Sequence, residues 1–245
     1  GAGGGGEGGW GLGGGGADDG TADARRLFGM LVGEECKWGL APEDLADLLP
    51  HADAAREWRI TLGDRDGDGF IEYQRATDQG LANQGWKDSF DGLNFASGAL
   101  ASPPIALCEV QAYAYGAYMA RSTIARDSGD LLLSEHWEAK AIALKQAFND
   151  AFWLPDRGYY AVALDRDKHP VDALTSNIGH CLWTGIVDDD KAASVVAHLM
   201  SEEMFSGWGI RTLAASMGAY NPLSYHNGSL WPHDNAIIVA GMLRY

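Results

Sequence analysis

Residues 103–126 read PPIALCEVQAYAYGAYMARSTIAR, and residues 134–153 read SEHWEAKAIALKQAFNDAFW. In the first stretch Val110, Tyr113, Ala114 and Ala117 recur at spacings of three and four, the period of one helix face. In the second, Trp137, Ala141, Leu144, Phe148 and Phe152 do the same. Two amphipathic runs in succession predict a helix pair. Upstream, Leu27, Phe28, Leu31 and Val32 repeat the spacing, and Leu45, Leu48 and Leu49 begin another run that reaches Trp58 and Ile60. Pro42 fits a first helical turn, with Glu43 and Asp44 suited to the positive end of the helix dipole. Downstream, helical patterning predicts helices over 175–186, 189–200, 208–217 and 230–245. Gly158 to Leu164 is the one strand-like stretch and reads as an arm of a hairpin. The fold class is therefore all-α: helix pairs joined by loops too rich in aromatic and acidic residues to be mere connectors.

The chain has 245 residues, of which 46% are apolar, enough for one large core. Eighteen lysines and arginines against 34 aspartates and glutamates give a net charge of −16. Such a surface repels phosphate backbones and anionic lipid, which argues against nucleic-acid and membrane partners; a neutral sugar meets no such penalty. No run of about 20 apolar residues is present to span a bilayer, and no basic-then-apolar leader opens the sequence. Cys36, Cys108 and Cys181 are odd in number, far apart and without a CxxC pair, as expected of reduced thiols in a cytoplasmic protein. Twelve of the 33 glycines fall within residues 1–16. That tract offers only Trp10 and Leu12 as apolar anchors, so residues 1–19 read as a flexible tail ahead of a domain at 20–245.

Four loops carry the chemistry. Asp64 to Tyr73, DRDGDGFIEY, begins like a calcium loop of the EF-hand kind, but position 12 is Arg75 where a bidentate glutamate belongs. A tight turn that presents Glu72 and Tyr73 is the competing reading, and it leaves the site without a metal. Residues 83–91, NQGWKDSFD, combine amides, an indole, a cation and two carboxylates, the parts of a carbohydrate site; alternatively, Asp88 or Ser89 caps a following helix and Trp86 fills the core. SGWGIRT at 206–212 adds Trp208 and Arg211, the latter equally suited to a structural ion pair. The run from Tyr220 to Asn235 adds His226, Trp231, His233 and Asp234, and the seven-residue gap between the histidines argues against zinc.

Taken in order, DRDGDGFIEY, NQGWKDSFDG, PPIALCEVQAYAYGAY, TSNIGHCLWTGI, SGWGIRTLA and YNPLSYHNGSLWPHDNA resemble the bacterial glycogen-debranching, amylo-α-1,6-glucosidase-like proteins. These belong to the clan of six-hairpin, (α/α)6-toroid glycoside hydrolases that includes trehalase, mannosylglycerate hydrolase and processing α-glucosidase. The resemblance covers residues 20–245. It implies an inverting hydrolase of α-glucosidic bonds, acting on an α-glucan or short α-glucoside, with no cofactor and a site at the mouth of the toroid. Asp88 in GWKDS matches the clan's general acid, with Asp91 as its nearest competitor. A general acid must hold its proton near neutral pH, which an apolar neighbour such as Trp86 favours and the nearby Lys87 opposes. Trp86 would stack on the sugar, and Glu109 and Gln111 match an acidic–polar pair that lines the pocket in trehalase-type relatives. Glu72, Tyr73, Gln84, Lys87, Asp91, Trp208, Arg211, His226, Trp231 and Asp234 are further substrate-binding candidates.

The resemblance also implies that the toroid is incomplete. About twelve helices close such a ring, whereas periodicity counts roughly eight after Thr21. The clan's general base is expected to be a glutamate beyond the WPHDNA helix, past Tyr245. Glu202 and Glu203 read as a solvated face. Two other functions fit the same residues: a sugar-binding relative without catalysis, and a calcium-dependent structural module at 64–75.

Overall fold

The computed structural model describes residues 22–58, 63–75 and 80–245. The glycine tract, its anchors Trp10 and Leu12, and Ile60 lie outside the described residues. Seven helices are defined among those residues: α1 (Ala24–Lys37), α2 (Pro42–Trp58), α3 (Cys108–Asp127), α4 (Leu131–Phe152), α5 (Asn177–Thr184), α6 (Asp189–Leu199) and α7 (Pro232–Met242). Five two-residue strands separate them: β1 (Ala106–Leu107), β2 (Trp153–Leu154), β3 (Tyr159–Tyr160), β4 (Ala163–Leu164) and β5 (Pro170–Val171). All strand pairs are antiparallel, in the order β1-β4-β5 and β2-β3.

The central α3–α4 pair follows from its sequence. Gly129 turns the chain at φ +84°, and Asp130 caps α4 by accepting from Leu133 N at 3.1 Å. The stripes then meet: Tyr118 lies 5.3 Å from Trp137, and Ser122 hydrogen-bonds Ser134 at 3.0 Å. Phe148 and Phe152 are fully buried, with Phe148 stacked on Tyr160 of β3. α1 packs on the far side of α3, where a Cβ on Gly33 would fall 2.5 Å from that of Ala120.

Three expectations need correction. Residues 208–217 are not helical. They form a loop held by bridges from Phe205 to Ile210, from Arg211 to Leu230 and from Thr175 to Leu213, because glycine at 207 and 209 and these cross-loop pairings outcompete the short apolar repeat. Residues 158–164 do not form a single hairpin arm. Tyr159–Tyr160 pairs with β2, whereas Ala163–Leu164 lies between β1 and β5. No helix follows residues 83–91, so neither Asp88 nor Ser89 is a helix cap. Among the described residues no helix is long and apolar enough to cross a membrane.

Candidate functional site

The site begins with a close helix crossing. A Cβ on Gly179 would fall 2.4 Å from Ile238 Cγ1, and one on Gly241 would fall 2.6 Å from Trp183 N, so only glycine lets α5 and α7 approach this closely. The approach sets His180 of α5 against the first turn of α7, where His180 Nε2 donates to Asp234 Oδ1 at 2.7 Å. Tyr113 of α3 hydrogen-bonds the other ring nitrogen, Nδ1. All three side chains are buried. Beside them lies Glu109, in the first turn of α3 and fully buried. Burial pushes its carboxyl up, against the opposing pull of His180, Asn177 and Lys87.

Residues 83–94 are laid over this floor. Gly85 permits the contact, since a Cβ there would fall 2.3 Å from Leu107 Cδ1 and 3.2 Å from Glu109 Oε1. The next three residues turn in three directions. Trp86 stacks on His180 (5.7 Å, 14° between planes) and meets His226, His233 and Trp231 edge to face at 5.4, 5.1 and 6.3 Å. Lys87 points inward and is buried, with Nζ donating to Thr212 O at 2.5 Å. Desolvation brings its ammonium down to about 8, while the charges of Asp234 and Glu109 act to keep it protonated. Asp88 points outward with 45% of its side chain exposed and lies 3.9 Å from His226 Nδ1.

The loop that leads into α7 completes the wall. His226 is stacked on Trp231 (5.3 Å, 28°), and its Nδ1 is 2.6 Å from Ser89 Oγ. Burial, helped by the Lys87 charge, brings His226 down to about 4, so near neutral pH its ring is uncharged and shares a hydrogen bond with Ser89. Tyr225, largely exposed, lies edge-on to both rings at 4.6 and 4.8 Å. Asp91 is tied down, with Oδ2 accepting from Asn227 Nδ2 at 3.0 Å. Asp234 Oδ2 and Trp86 Nε1 are buried without a hydrogen-bond partner.

Of the residues named from sequence, Trp86, Lys87, Asp88, Asp91, Glu109, His226, Trp231 and Asp234 thus converge. Tyr73 supports them from behind, its hydroxyl donating to Asn83 Oδ1 at 2.7 Å while Asn83 Nδ2 donates to Ser89 O at 2.7 Å. Gln84 is buried and accepts at its backbone carbonyl from Ala22 N. Four candidates fall elsewhere. Glu72 is buried and paired with Lys168, away from the aromatic wall. Gln111 uses both ends of its amide on the Ile71 backbone, accepting at 2.8 Å and donating at 2.8 Å, which makes it a structural tie. Arg211 Nη1 donates to the carbonyls of Glu202 and Glu203 at 3.3 and 3.4 Å. Trp208 is 93% exposed at the tip of a turn. His180 is not named as a site residue by the sequence reading, which takes Tyr113 as part of an apolar stripe and Ser89 as a possible helix cap. The one available signal was a histidine inside the apolar run Ile178–Trp183, which reads equally well as core.

The comparisons agree with this architecture. A neutral trehalase from Saccharomyces cerevisiae superposes with a TM-score of 0.66 at 13% identity, over 92% of this chain and 52% of the trehalase. A mannosylglycerate hydrolase from Thermus thermophilus, in complex with Tris and D-glycerate, gives 0.65 at 12% identity over 92% and 65%. An uncharacterized conserved protein from the same organism gives 0.66 at 13% identity over 92% and 64%. This chain therefore has the fold of the (α/α)6 glycosidases and spans about half to two thirds of the length of these structures. No curated protein sequence matches it. A family model, the mannosylglycerate hydrolase MGH1-like glycoside hydrolase domain, matches residues 45–245, and the chain belongs to that family.

Proposed function

We propose that the aromatic wall and Asp88 form the general-acid side of a glycosidase site that cleaves α-glucosidic bonds of an α-glucan or short α-glucoside with inversion, in the manner of an amylo-α-1,6-glucosidase. One observation carries the reading: among the acidic side chains gathered here, Glu109 and Asp234 are sealed and Asp91 is held by Asn227, while Asp88 opens to solvent beside the indoles. An acid that protonates a departing sugar oxygen has to be open to its substrate, and the exposed carboxyl of Asp88 supports that role. Trp86 and Trp231 offer faces and edges to a pyranose ring, whose C–H surface packs on indole while its hydroxyls seek polar groups at the rim. His226, neutral near pH 7, adds no charge beside the acid.

Beneath the wall, Lys87 neutralises part of the buried charge of Glu109 and Asp234, and the Tyr113–His180–Asp234 chain fixes the plane on which Trp86 rests. These groups position; they do not touch substrate. Inversion needs a second carboxylate about 6.5–9.5 Å from the first to activate water. Glu72, Glu109 and Asp234 are all closed to solvent, which supports a base other than these three. The test is hydrolysis of maltose and isomaltose by a chain that carries these residues within a complete toroid, with the anomeric product followed by proton NMR. β-Glucose appearing first supports the proposal; α-glucose first, or no α-glucosidase activity, contradicts it.

A further inference from the structure

Asp88 has a neighbour that would spoil it as an acid. Its Oδ1 lies 3.9 Å from Nδ1 of His226, so a modest rotation of the half-exposed aspartate would bring the two into a hydrogen bond. A ring N–H on a carboxylate favours the ionised form, and an ionised aspartate has no proton to give a departing oxygen. The ring is held in place: it is stacked on Trp231, meets Trp86 and Tyr225 edge to face, and is buried.

Ser89 stands between them. Its Oγ lies 2.6 Å from the same Nδ1, well inside the 3.9 Å of the aspartate. The backbone under that hydroxyl is clamped, with Ser89 O accepting from Asn83 Nδ2 at 2.7 Å and from Gly92 N at 2.9 Å. Glycine at 92 lets this turn close, because a Cβ there would fall 3.1 Å from the carbonyl oxygens of both Lys87 and Ser89. Either tautomer of the ring gives the same outcome. If Nδ1 carries the hydrogen, Ser89 takes it; if not, Nδ1 takes the serine's and has nothing to offer a carboxylate. The charged groups that act on the ring are Lys87, Asp88 and Asp91 from the 83–94 loop and Asp234 from α7. Replacing the serine hydroxyl alters none of them.

We infer that Ser89 is a positioning residue for the acid: its hydroxyl occupies Nδ1 of His226 and so keeps the histidine from bonding Asp88. This role rests on the reading of Asp88 as the proton donor. In that reaction the carboxyl proton passes to the glycosidic oxygen as the bond from that oxygen to the anomeric carbon breaks. Ser89 touches neither the sugar nor the proton in transfer; it leaves the proton available.

Two measurements compare Ser89→Ala with Ser89→Thr, which restores a hydroxyl, and with Ser89→Ala/His226→Phe, which keeps a ring on Trp231 but has no nitrogen. In the 245-residue chain the Asp88 carboxyl is titrated by carbon-13 NMR. S89A should titrate about one pH unit lower than the wild type, S89T should match the wild type, and S89A/H226F should match H226F. Within a complete toroid, S89A should lose about tenfold on an α-linked disaccharide near pH 7 and about twofold or less on α-glucosyl fluoride, which needs little protonic help. An unchanged carboxyl titration in S89A, or equal losses on the two substrates as a merely structural defect would give, overturns the inference. If the double variant does not fold, S89T decides: a wild-type titration supports the inference, and one that follows S89A overturns it. Asp88→Asn separates this inference from the reading beneath it. If D88N costs the disaccharide no more than the fluoride, both fall; if D88N is selective and S89A is not, only the role of Ser89 falls.

Discussion

His226→Asn should flatten the acid limb of the stability profile. In the folded protein His226 is buried on Trp231 and sits near 4, against 6.5 for an unstrained imidazole. A folded-state pKa below the unfolded one means the unfolded chain binds the extra proton, so stability is full above about pH 6.5 and falls as pH drops toward 4. The gap of about two and a half pH units, at 1.36 kcal/mol each, amounts to about 3 kcal/mol, of which about 2 kcal/mol is already lost by pH 5. Asparagine keeps an acceptor near the Ser89 hydroxyl but does not titrate. The variant should be weaker at every pH through lost stacking, yet its urea-unfolding free energy should fall by about 2 kcal/mol less than the wild type's between pH 7.5 and 5. Parallel profiles for the two proteins would refute the reasoning, because the slope would then belong to other groups.

Other perturbations follow from the same geometry. Gly179→Ala would place a methyl 2.4 Å from Ile238 Cγ1 and should cost about 1–3 kcal/mol in denaturant unfolding, since α5 and α7 would have to separate. His180→Leu leaves Asp234 and the Tyr113 hydroxyl without their partner and should cost about 3–5 kcal/mol, whereas Asp234→Asn should cost less because it removes the buried charge; both are read by urea melts. The 245-residue chain alone should show no turnover of maltose or isomaltose in a coupled glucose assay, because Glu72, Glu109 and Asp234 are sealed from the water a base must activate.

Much of this organisation is legible in the residues. The stripes of α3 and α4 are strong because Tyr113, Trp137, Phe148 and Phe152 repeat over five turns or more, so local periodicity and tertiary burial agree. Residues 208–217 misled because a few apolar positions between glycines mimic that period, while cross-loop bridges decide the structure. The site was legible as a set of motifs but not as an arrangement. Trp86, Lys87 and Asp88 are adjacent in sequence yet face the wall, the floor and solvent, a division made by their tertiary partners His180, Thr212 and His226. Gln111 was named through the family resemblance, which carries a residue type but not its partners, and here both ends of its amide meet the Ile71 backbone. Lys168 was invisible because its partners lie about a hundred residues upstream.

The central claim is that Asp88 donates the proton to the leaving group. It is tested most directly by Asp88→Asn in a chain that carries these residues within a complete toroid, comparing α-glucosyl fluoride with an α-linked disaccharide. Fluoride departs with little protonic help, whereas a sugar oxygen needs it, and losing a general acid typically slows the dependent reaction about 10²–10⁴-fold. The account predicts a loss of that order on the disaccharide and a far smaller one on the fluoride. Equal losses on both substrates, or a larger disaccharide loss from Asp91→Asn, would contradict it.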